Sequence, residues 1–322
     1  MTKIVAHLCE QLIPSENQVY CSTMQLAWNE LSEYVGGELT FDKADINNLD
    51  LKAAVTLREL NKKAFRKEHL DEESYLALVG LVSEGIVSRI QKGLQDKFQD
   101  TTKINFSGVN PTDIIAYAYL LKNLMFLQKF DEIEDLSFNG IPVKAFGTVV
   151  RDDSPRKLLN QVRVLHYKDP TEFTLSFKTQ SEDIMVMAML KPESTLEETL
   201  AAVNIGAPEH LIKKDELKVP KLSFDLEHRF SEIQNRIVFI NDAVSGWYIA
   251  EAIQLIKFEL NEFGAKLRSE AAINMKLRSV SVPAKPRKFI FDKPFLIYLK
   301  HHDDAPPYFV AWVGDIDFMV RR

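Results

Sequence analysis

LIKFELNEFGAKLRSEAAINMKLRSVSVPAKPRKFIFDKPF, residues 255–295, is the stretch of the sequence that decides the fold. At its start the apolar residues Ile256, Phe258 and Leu260 alternate with polar or charged ones. Successive side chains of a β-strand point to opposite faces, so this alternation predicts a strand with one buried face. The short segment 261–264 then interrupts the pattern.

The alternation resumes after Gly264 in the opposite parity, which predicts a second segment able to form a strand. Residues 279–288 follow, with two prolines and scattered Lys and Arg, and indicate an exposed connection. Residues 289–299 form a run that we expect to be buried. The apolar or small residues of the resumed pattern are Ala265, Leu267, Ser269, Ala271, Ile273, Met275 and Leu277.

Five motifs occur in an order that resembles the serpin family. EFG at 262–264 matches an acidic residue, a turn and a glycine before the family's reactive loop. DKPFLIYL at 292–299 and FVAWVG at 309–314 match the strands that follow the loop. NQVY at 17–20 and VPKLSFD at 219–225 are similar to two upstream strands. The resemblance implies an α+β fold, with helices around a large mixed β-sheet, smaller sheets and an exposed reactive-centre-like loop.

The resemblance also implies a function, which is to present this loop to a protease as bait. By the family's counting from the loop glycine, cleavage is expected between Arg278 and Ser279, and the cut loop would insert into a sheet as a strand. The expected hinge residues are Glu262, Gly264, Ala265 and Leu267. An Arg at the scissile bond fits the acidic pocket of a trypsin-like protease.

Several residues depart from the serpin pattern and leave an alternative open. The start of the loop, 266–270, carries Leu267 and charged residues where inhibitory serpins have small ones. The segment between Gly37 and Lys122 is also shorter than is usual in the family. The alternative is a non-inhibitory protein of serpin fold, whose loop contacts a partner without inserting. At the positions where the family has a polar cluster, this chain has Cys21, Met24, Tyr117 and Gln254. At the position of the family's tryptophan it has Met125.

Composition narrows the function classes. The chain has 322 residues, of which 46% are hydrophobic and 27% charged, and a net charge of −6. The acidic balance predicts no nucleic-acid partner, and no apolar run is long enough for a membrane helix. Only Cys9 and Cys21 are present, so no disulfide framework is expected, although one bridge between them stays open. We expect one domain, residues 1–322, that is cytoplasmic, or secreted if a signal peptide has been removed.

Local periodicity predicts the remaining elements. Helices are expected over 4–12, 24–35, 42–66 and 71–98, and a further helix from Ser194 to near Gly206, opened by a capping box. Residues 114–126 are interpreted as a central strand, although a helix is an alternative. From Val143 onward strands dominate, including a run from Ile184 to Leu190 that is expected to be covered on both faces.

The sequence predicts no enzyme, no metal site and no cofactor. It contains no phosphate-binding glycine loop, nucleophile elbow, Cys-x-x-Cys pair or His-Glu-x-x-His helix. HHDD at 301–304 is interpreted as a polar hairpin loop rather than a metal site, because adjacent residues point in different directions. The expected partner is a protein, either a trypsin-like protease or another ligand of the loop.

Overall fold

The computed structural model describes residues 2–41, 51–100, 108–148, 156–234, 238–265, 285–302 and 305–321. Within these ranges the α-helices are α1 Thr23–Tyr34, α2 Leu51–Asn61, α3 Ile86–Phe98, α4 Arg156–Asn160 and α5 Leu196–Ala201. The strands are β1 Thr2–Val5, β2 Asn17–Cys21, β3 Tyr75–Leu81, β4 Ile114–Leu120, β5 Leu124–Met125, β6 Asp131–Phe138, β7 Ile141–Thr148, β8 Val162–Asp169, β9 Glu172–Lys178, β10 Ile184–Met189, β11 Glu209–His210, β12 Glu216–Pro220, β13 Leu222–Arg229, β14 Ile253–Leu260, β15 Gly264–Ala265, β16 Lys288–Ile290, β17 Phe295–Lys300 and β18 Phe309–Val313.

The largest sheet has eight strands in the order β1-β2-β18-β17-β10-β9-β8-β11. Its neighbours are antiparallel except β1 and β2, which are parallel. Met185 and Met187 of β10 lie in the main core, whereas Val186 and Ala188 lie in a second apolar cluster on the opposite face. Apolar contact on both faces explains the unbroken apolar run, and the predicted two-faced strand at 184–190 is confirmed.

A second sheet has four strands in the order β16-β12-β7-β6. The buried run predicted at 289–299 is therefore divided between two sheets, since β16 lies here and β17 in the large sheet. The division occurs around Asp292, where the amide of Phe291 donates to the carbonyl of Lys218 (3.0 Å) and the carbonyl of Asp292 accepts from Asn139 (2.9 Å). The segment is buried as predicted, but it is not one strand.

The strand predicted at the start of the 255–295 stretch is β14, which pairs with β13 in an antiparallel ladder. Gln254, Ile256, Phe258 and Leu260 are buried, and the residues between them are exposed or half-buried. The alternation in the sequence therefore gives the burial pattern directly. Phe258 stacks on Phe309 of the large sheet, with ring centroids 4.8 Å apart.

The helix predicted over residues 4–12 is wrong. Residues 2–5 form β1, in which Ile4 pairs with Val19 of β2. Of the apolar residues at helical spacing, only Ile4 lies in the strand, Leu8 lies in a turn and Leu12 in the following loop, so their spacing does not come from one regular element. The backbone of Leu12 then donates to the carbonyl of Ser194 (2.8 Å), next to the start of α5.

The helix predicted over 71–98 is wrong in its first half. Tyr75–Leu81 is the strand β3, and only Ile86–Phe98 is helical. β3 pairs with β4, and this two-stranded ribbon packs against α1 on one side and α3 on the other. A ribbon covered on both faces is apolar at every position, so its sequence does not alternate.

The other helix predictions have mixed outcomes. The helix over 24–35 is confirmed as α1, and Gly36 follows it in a left-handed conformation (φ +81°). Of the helix over 42–66, α2 covers Leu51–Asn61, and residues 42–50 lie outside the described residues. The N-cap half of the predicted capping box is confirmed, because Thr195 Oγ1 accepts from the amide of Glu198 (3.1 Å), but α5 ends at Ala201 rather than near Gly206.

The segment 114–126 is extended, so its helix alternative is wrong. β4 occupies Ile114–Leu120 and β5 Leu124–Met125. Among the described residues β4 pairs with β3 alone, so it is an edge of a small ribbon rather than the centre of a large sheet. Both cysteines are free thiols, so Cys9 and Cys21 do not form the bridge that composition left open. In the described ranges no helix is long and apolar enough to cross a membrane.

Two histidines lie near charged residues that join β1, α2 and the end of β13. Lys52 contacts Glu232 (2.9 Å) and Glu10 (3.6 Å). Burial lowers the pKa of His7 below its ordinary value of 6.5, although Glu10 opposes the shift. Burial also lowers the pKa of His228, again against a nearby carboxylate. Burial therefore disfavours the charged form of both side chains.

We predict that this pair makes the stability of the fold sensitive to mild acid. A histidine whose pKa is lower in the folded chain than in the unfolded chain binds fewer protons when folded. The free energy of unfolding then decreases as the pH falls through 6.5 towards the folded pKa. Urea unfolding between about pH 8 and about pH 5.5 measures this decrease. It should be smaller in a His7→Gln/His228→Gln variant and unchanged in His210→Gln, whose side chain is exposed. An equal decrease in the double variant contradicts the prediction.

Candidate functional site

A tight turn connects β14 to the segment 266–284. The amide of Gly264 donates to the carbonyl of Asn261 (3.0 Å), and the amide of Phe263 donates to Asn261 Oδ1 (2.9 Å). Beyond the turn, Gly264 pairs with Met125 and Ala265 with Leu124 in an antiparallel bridge between β15 and β5. The first two residues after the turn thus already form strand hydrogen bonds.

Glycine is required at position 264 for two reasons. Its φ is +107°, which L-residues with a side chain rarely adopt. A Cβ atom placed there would also overlap the carbonyl oxygen of Leu124, which is rigid backbone. The close pairing of β15 with β5 depends on the absence of a side chain.

Two further backbone hydrogen bonds hold the turn against the segment after β5. The amide of Phe126 donates to the carbonyl of Phe263 (3.0 Å), and the amide of Phe130 donates to that of Glu262 (2.9 Å). Lys129 Nζ lies 4.5 Å from the centre of the Phe263 ring. Phe126 and Phe130 are themselves buried in edge-to-face contact, with centroids 4.9 Å apart, so the turn is attached to the core.

The carboxylate of Glu262 is buried and paired. Its Oε2 lies 2.6 Å from Lys221 Nζ, and the two side chains are only 7% and 14% exposed. Burial acts to raise the pKa of Glu262, but the hydrogen bond and charge of Lys221 outweigh it and hold the pKa below its ordinary value. Glu132 also approaches Lys221 (3.5 Å), from the exposed edge strand β6. The turn is therefore fixed by an ion pair as well as by its backbone.

We predict that Gly264→Ala destabilises the chain by more than about 2 kcal/mol, because it adds a backbone clash to a left-handed conformation. Gly246→Ala is the matched control: its φ is +85°, but no atom lies within 4 Å of the added Cβ. The control should cost only about 1 kcal/mol. Urea unfolding of both variants measures the difference. An equal decrease in the free energy of unfolding would show that the contact with Leu124 does not contribute to stability.

We predict a strong energetic coupling between Lys221 and Glu262. Removing one partner leaves the other charge buried, which costs about 3–5 kcal/mol, so Lys221→Met and Glu262→Gln should each be costly and the double variant less than their sum. Asp225 and Lys257 provide the matched control on the same ladder, since both are 69% exposed and 3.8 Å apart. Their coupling should be below about 1 kcal/mol. A double-mutant cycle from urea unfolding compares the two pairs, and similar couplings would contradict the prediction.

A buried polar contact links β14 to the start of α1. Gln254 Nε2 donates to the carbonyl of Cys21 (2.9 Å) and to Thr23 Oγ1 (2.7 Å). Met24 is buried in the main core beside this contact. Tyr117 does not join it, because its ring packs in the separate apolar cluster of α3, where burial raises its pKa. The structure thus brings Cys21 and Gln254 together and places Tyr117 elsewhere.

The other end of the segment 266–284 is held by Arg287. Its guanidinium donates to Asp215 Oδ2 (2.9 Å), to Glu209 Oε2 (2.7 Å) and to the carbonyl of His210 (3.0 Å). The side chain of Asp215 is fully buried, and the Arg287 backbone amide donates to it as well (2.9 Å). The Phe289 ring centre lies 5.4 Å from the guanidinium carbon. Burial alone would lower the pKa of Arg287, but its acidic partners raise it.

The chain was compared with known proteins by sequence and by structure, and only the structural comparison found matches. No family model matches the chain, and no curated protein matches it. Solved structures do match. SRPN18 from Anopheles gambiae is 10% identical, with a TM-score of 0.52 over 94% of this chain and 93% of that one. This chain has the serpin fold.

Two further serpins match at similar levels. Serpin48 from Tenebrio molitor, described as a highly specific serpin, is 10% identical, with a TM-score of 0.51 over 94% of this chain and 92% of that one. Native protease nexin-1 with heparin is 12% identical, with a TM-score of 0.50 over 94% and 93%. The predicted α+β architecture of serpin type is therefore confirmed, and at these identities the likeness concerns the fold alone.

The predicted site residues fall into two groups in the serpin fold. Glu262, Gly264 and Ala265 meet at the turn beside β5, and their role as a hinge stays a prediction. Leu267, Arg278 and Ser279 lie outside the described residues. Sequence reasoning missed the partners at both ends of the loop, although Lys221 lies within the VPKLSFD motif that supported the resemblance.

Met125 and His301 can also be placed. Met125, at the position of the family's tryptophan, is half-buried and pairs with Gly264. His301 Nδ1 lies 3.3 Å from Asp183 Oδ1, and Asp183 is also paired with Lys122 Nζ (2.9 Å). His301, at the start of the polar hairpin loop predicted at 301–304, thus joins a buried ionic group, and residues 303–304 lie outside the described residues. Across the described ranges no three His, Cys, Asp or Glu side chains are grouped as metal ligands.

Proposed function

We propose that this serpin-fold chain presents residues 266–284 as bait to a trypsin-like protease, which cleaves between Arg278 and Ser279. The observation that carries the proposal is the bridge from Gly264 and Ala265 to β5, because it starts a strand where the loop begins. Arg278 would enter the acidic pocket of the protease through a charge-assisted contact. Insertion of the cut loop would then retain the acylated protease.

The edges of two strands support an insertion site. Within the described residues β4 has β3 as its ladder partner and β14 has β13, so one edge of each is unpaired. An unpaired edge offers backbone N–H and C=O groups to an additional strand. β5 follows β4 directly along the chain, so a ladder that begins at β15 and β5 leads towards the free edge of β4.

The register of the bridge supports the same path. With Ala265 opposite Leu124, a ladder continued without a bulge places Ala271 opposite Ala118 and Ile273 opposite Ala116. Ala118 packs against the main core, whereas Tyr117 faces the α3 cluster. Paired residues of a ladder point to the same face, so the apolar parity of the loop would enter the main core. The intervening Glu270, Ala272 and Asn274 would take the other face.

A second candidate function is a serpin-fold binding protein whose loop does not insert. The sequence at 266–270 favours it, because Leu267 and three charged side chains replace the small residues of inhibitory serpins. In the continued register Leu267 lies opposite Lys122, whose side chain is only 7% exposed. Overpacking at such a position typically costs about 1–3 kcal/mol, which slows insertion relative to hydrolysis. The partner would then be a protein that contacts the exposed loop.

We also propose that residues 1–322 act as one domain without enzymatic activity. The large sheet supports this, because β2 near the start of the chain pairs with β18 near its end. Elements from both ends thus share one sheet and one core. The sequence also contains no recognisable motif for the nucleophile, base and oxyanion site that a hydrolytic enzyme needs.

We predict that equimolar trypsin forms a covalent complex with the chain, seen on denaturing electrophoresis at the summed mass less that of the leaving fragment, residues 279–322. The released fragment should begin at Ser279 by mass spectrometry, and the cleaved chain should melt at a higher temperature, because an inserted strand adds a ladder on both edges. Arg278→Ala should abolish the complex. Arg268→Ala, a change of the same kind in the same loop, should leave it intact.

A second variant distinguishes slow insertion from no insertion. Leu267→Ala removes the overpacked side chain and should increase the trapped fraction relative to hydrolysed chain. Clean cleavage by trypsin without a complex or a rise in melting temperature, in both the parent chain and Leu267→Ala, would overturn the inhibitor proposal. That result would favour the binding function.

A further inference from the structure

A cavity of about 340 Å³ lies on the outer face of the large sheet. Its floor is formed by β8, β9, β10 and β17, and one wall by residues 205–208, which follow α5. The lining residues are Arg163, Leu165, Ser176, Ile184, Val186, Ile205, Gly206, Pro208, Tyr298 and Lys300.

The wall is held by backbone contacts rather than by side chains filling the space. The amide of Gly206 donates to the carbonyl of Leu165 (2.8 Å), and Glu209 pairs with Val164 where β11 joins β8. The ladder between β8 and β9 shifts register between Val164 and His166. Arg163 and Leu165 are two positions apart in β8, so both side chains point to the cavity.

Two cations with no counter-ion lie beside this cavity. Arg163 is opposite Ser176 in the ladder, and Lys178 is the next residue of β9 on the same face. Within the described part of the chain neither has a hydrogen bond or ion pair to a carboxylate. Burial, with the charge of Arg163 adding to it, lowers the pKa of Lys178. The two like charges thus repel each other next to an open space.

The rest of the lining combines an apolar floor with a third cation. Val186 and Tyr298 are buried, and Ile184 is half-buried between Lys178 and Lys300, which are its two ladder partners. Ile205 is 61% exposed at the rim, an unusual position for a large aliphatic side chain. Positive charge thus lies beside an apolar surface that borders the cavity.

We infer that this cavity binds a small amphipathic anion, with a carboxylate beside Arg163 and Lys178 and an apolar chain or ring over Ile184 and Val186. An anion there relieves the repulsion between the two cations, and the apolar part covers the floor and Ile205. The volume is at the lower end of ligand pockets, which favours a molecule of medium-chain fatty acid size. The wall continues into Glu209 and His210, which accept from Arg287, but the inference does not depend on the function proposed for the loop.

Isothermal titration with octanoate, compared with uncharged octan-1-ol, tests the inference. We expect one octanoate per chain and at least tenfold weaker binding of the alcohol. Arg163→Gln and Lys178→Gln should each weaken octanoate binding at least fivefold. Lys257→Gln, which removes an exposed charge from β14, is the matched control and should have no effect. Circular dichroism confirms that each variant is folded.

A fourth variant tests the position of the ligand. Ile205→Glu places a carboxylate at the rim of the cavity and should abolish octanoate binding, because the exposed side chain can change without disturbing the core. Absence of octanoate binding to the parent chain overturns the inference. So does binding that is equal in Lys257→Gln and the Arg163→Gln/Lys178→Gln double variant.

Discussion

The buried ion pair of Lys221 and Glu262 is the contact on which the loop anchor depends. Lys221 lies between β12 and β13, at the residue where the chain passes from one sheet to another. Its amide donates to the carbonyl of Lys144 in β7 (2.8 Å), and its carbonyl accepts from Val320 near the C-terminus (2.9 Å). A charge buried at such a junction must be neutralised, and Glu262 does so from the turn after β14. The conformation of the turn is therefore coupled to both sheets.

The second anchor, at Arg287, limits how far the uncut loop could insert as a strand. Lys288 lies beside Glu216, five residues before Lys221, so both anchors are in the same region of the fold. An inserted strand from Ala265 to residue 275 would extend about 35 Å from the turn. The residues 276–287 span at most about 40 Å when fully extended. Return to Arg287 would then need a nearly straight chain, whereas a cut between Arg278 and Ser279 removes this restraint. We infer that the anchors oppose full insertion before cleavage.

The sequence correctly predicted the elements that bury only one face against the rest of the fold. β14 and α1 have a single buried face, so their residue spacing alone identified them. β3 failed, because packing between α1 and α3 makes every position apolar and removes the period. β1 failed, because Ile4, Leu8 and Leu12, whose spacing suggested a helix, lie in a strand, a turn and a loop. The partners of Glu262 and Arg287 were not predictable, since Lys221 and Asp215 are distant in sequence and meet only through the sheet topology.

For the proposed insertion, the main energetic barrier lies at the ionic group around Lys122 rather than in the loop itself. In the continued register Leu267 is the first large side chain to enter, and it arrives opposite Lys122, between β5 and β4. Lys122 and Asp183 are 7% and 5% exposed, and Asp183 also contacts Ser181 (3.1 Å) and His301 (3.3 Å). Displacing Lys122 would leave a buried carboxylate with weaker partners, at a cost of about 3–5 kcal/mol. The large side chain of Leu267 and the fixed cation of Lys122 thus both oppose the same step of the proposed insertion. In the proposed mechanism, the competition between trapping and hydrolysis would be decided there, before the small residues Ser269 and Ala271 reach the edge of β4.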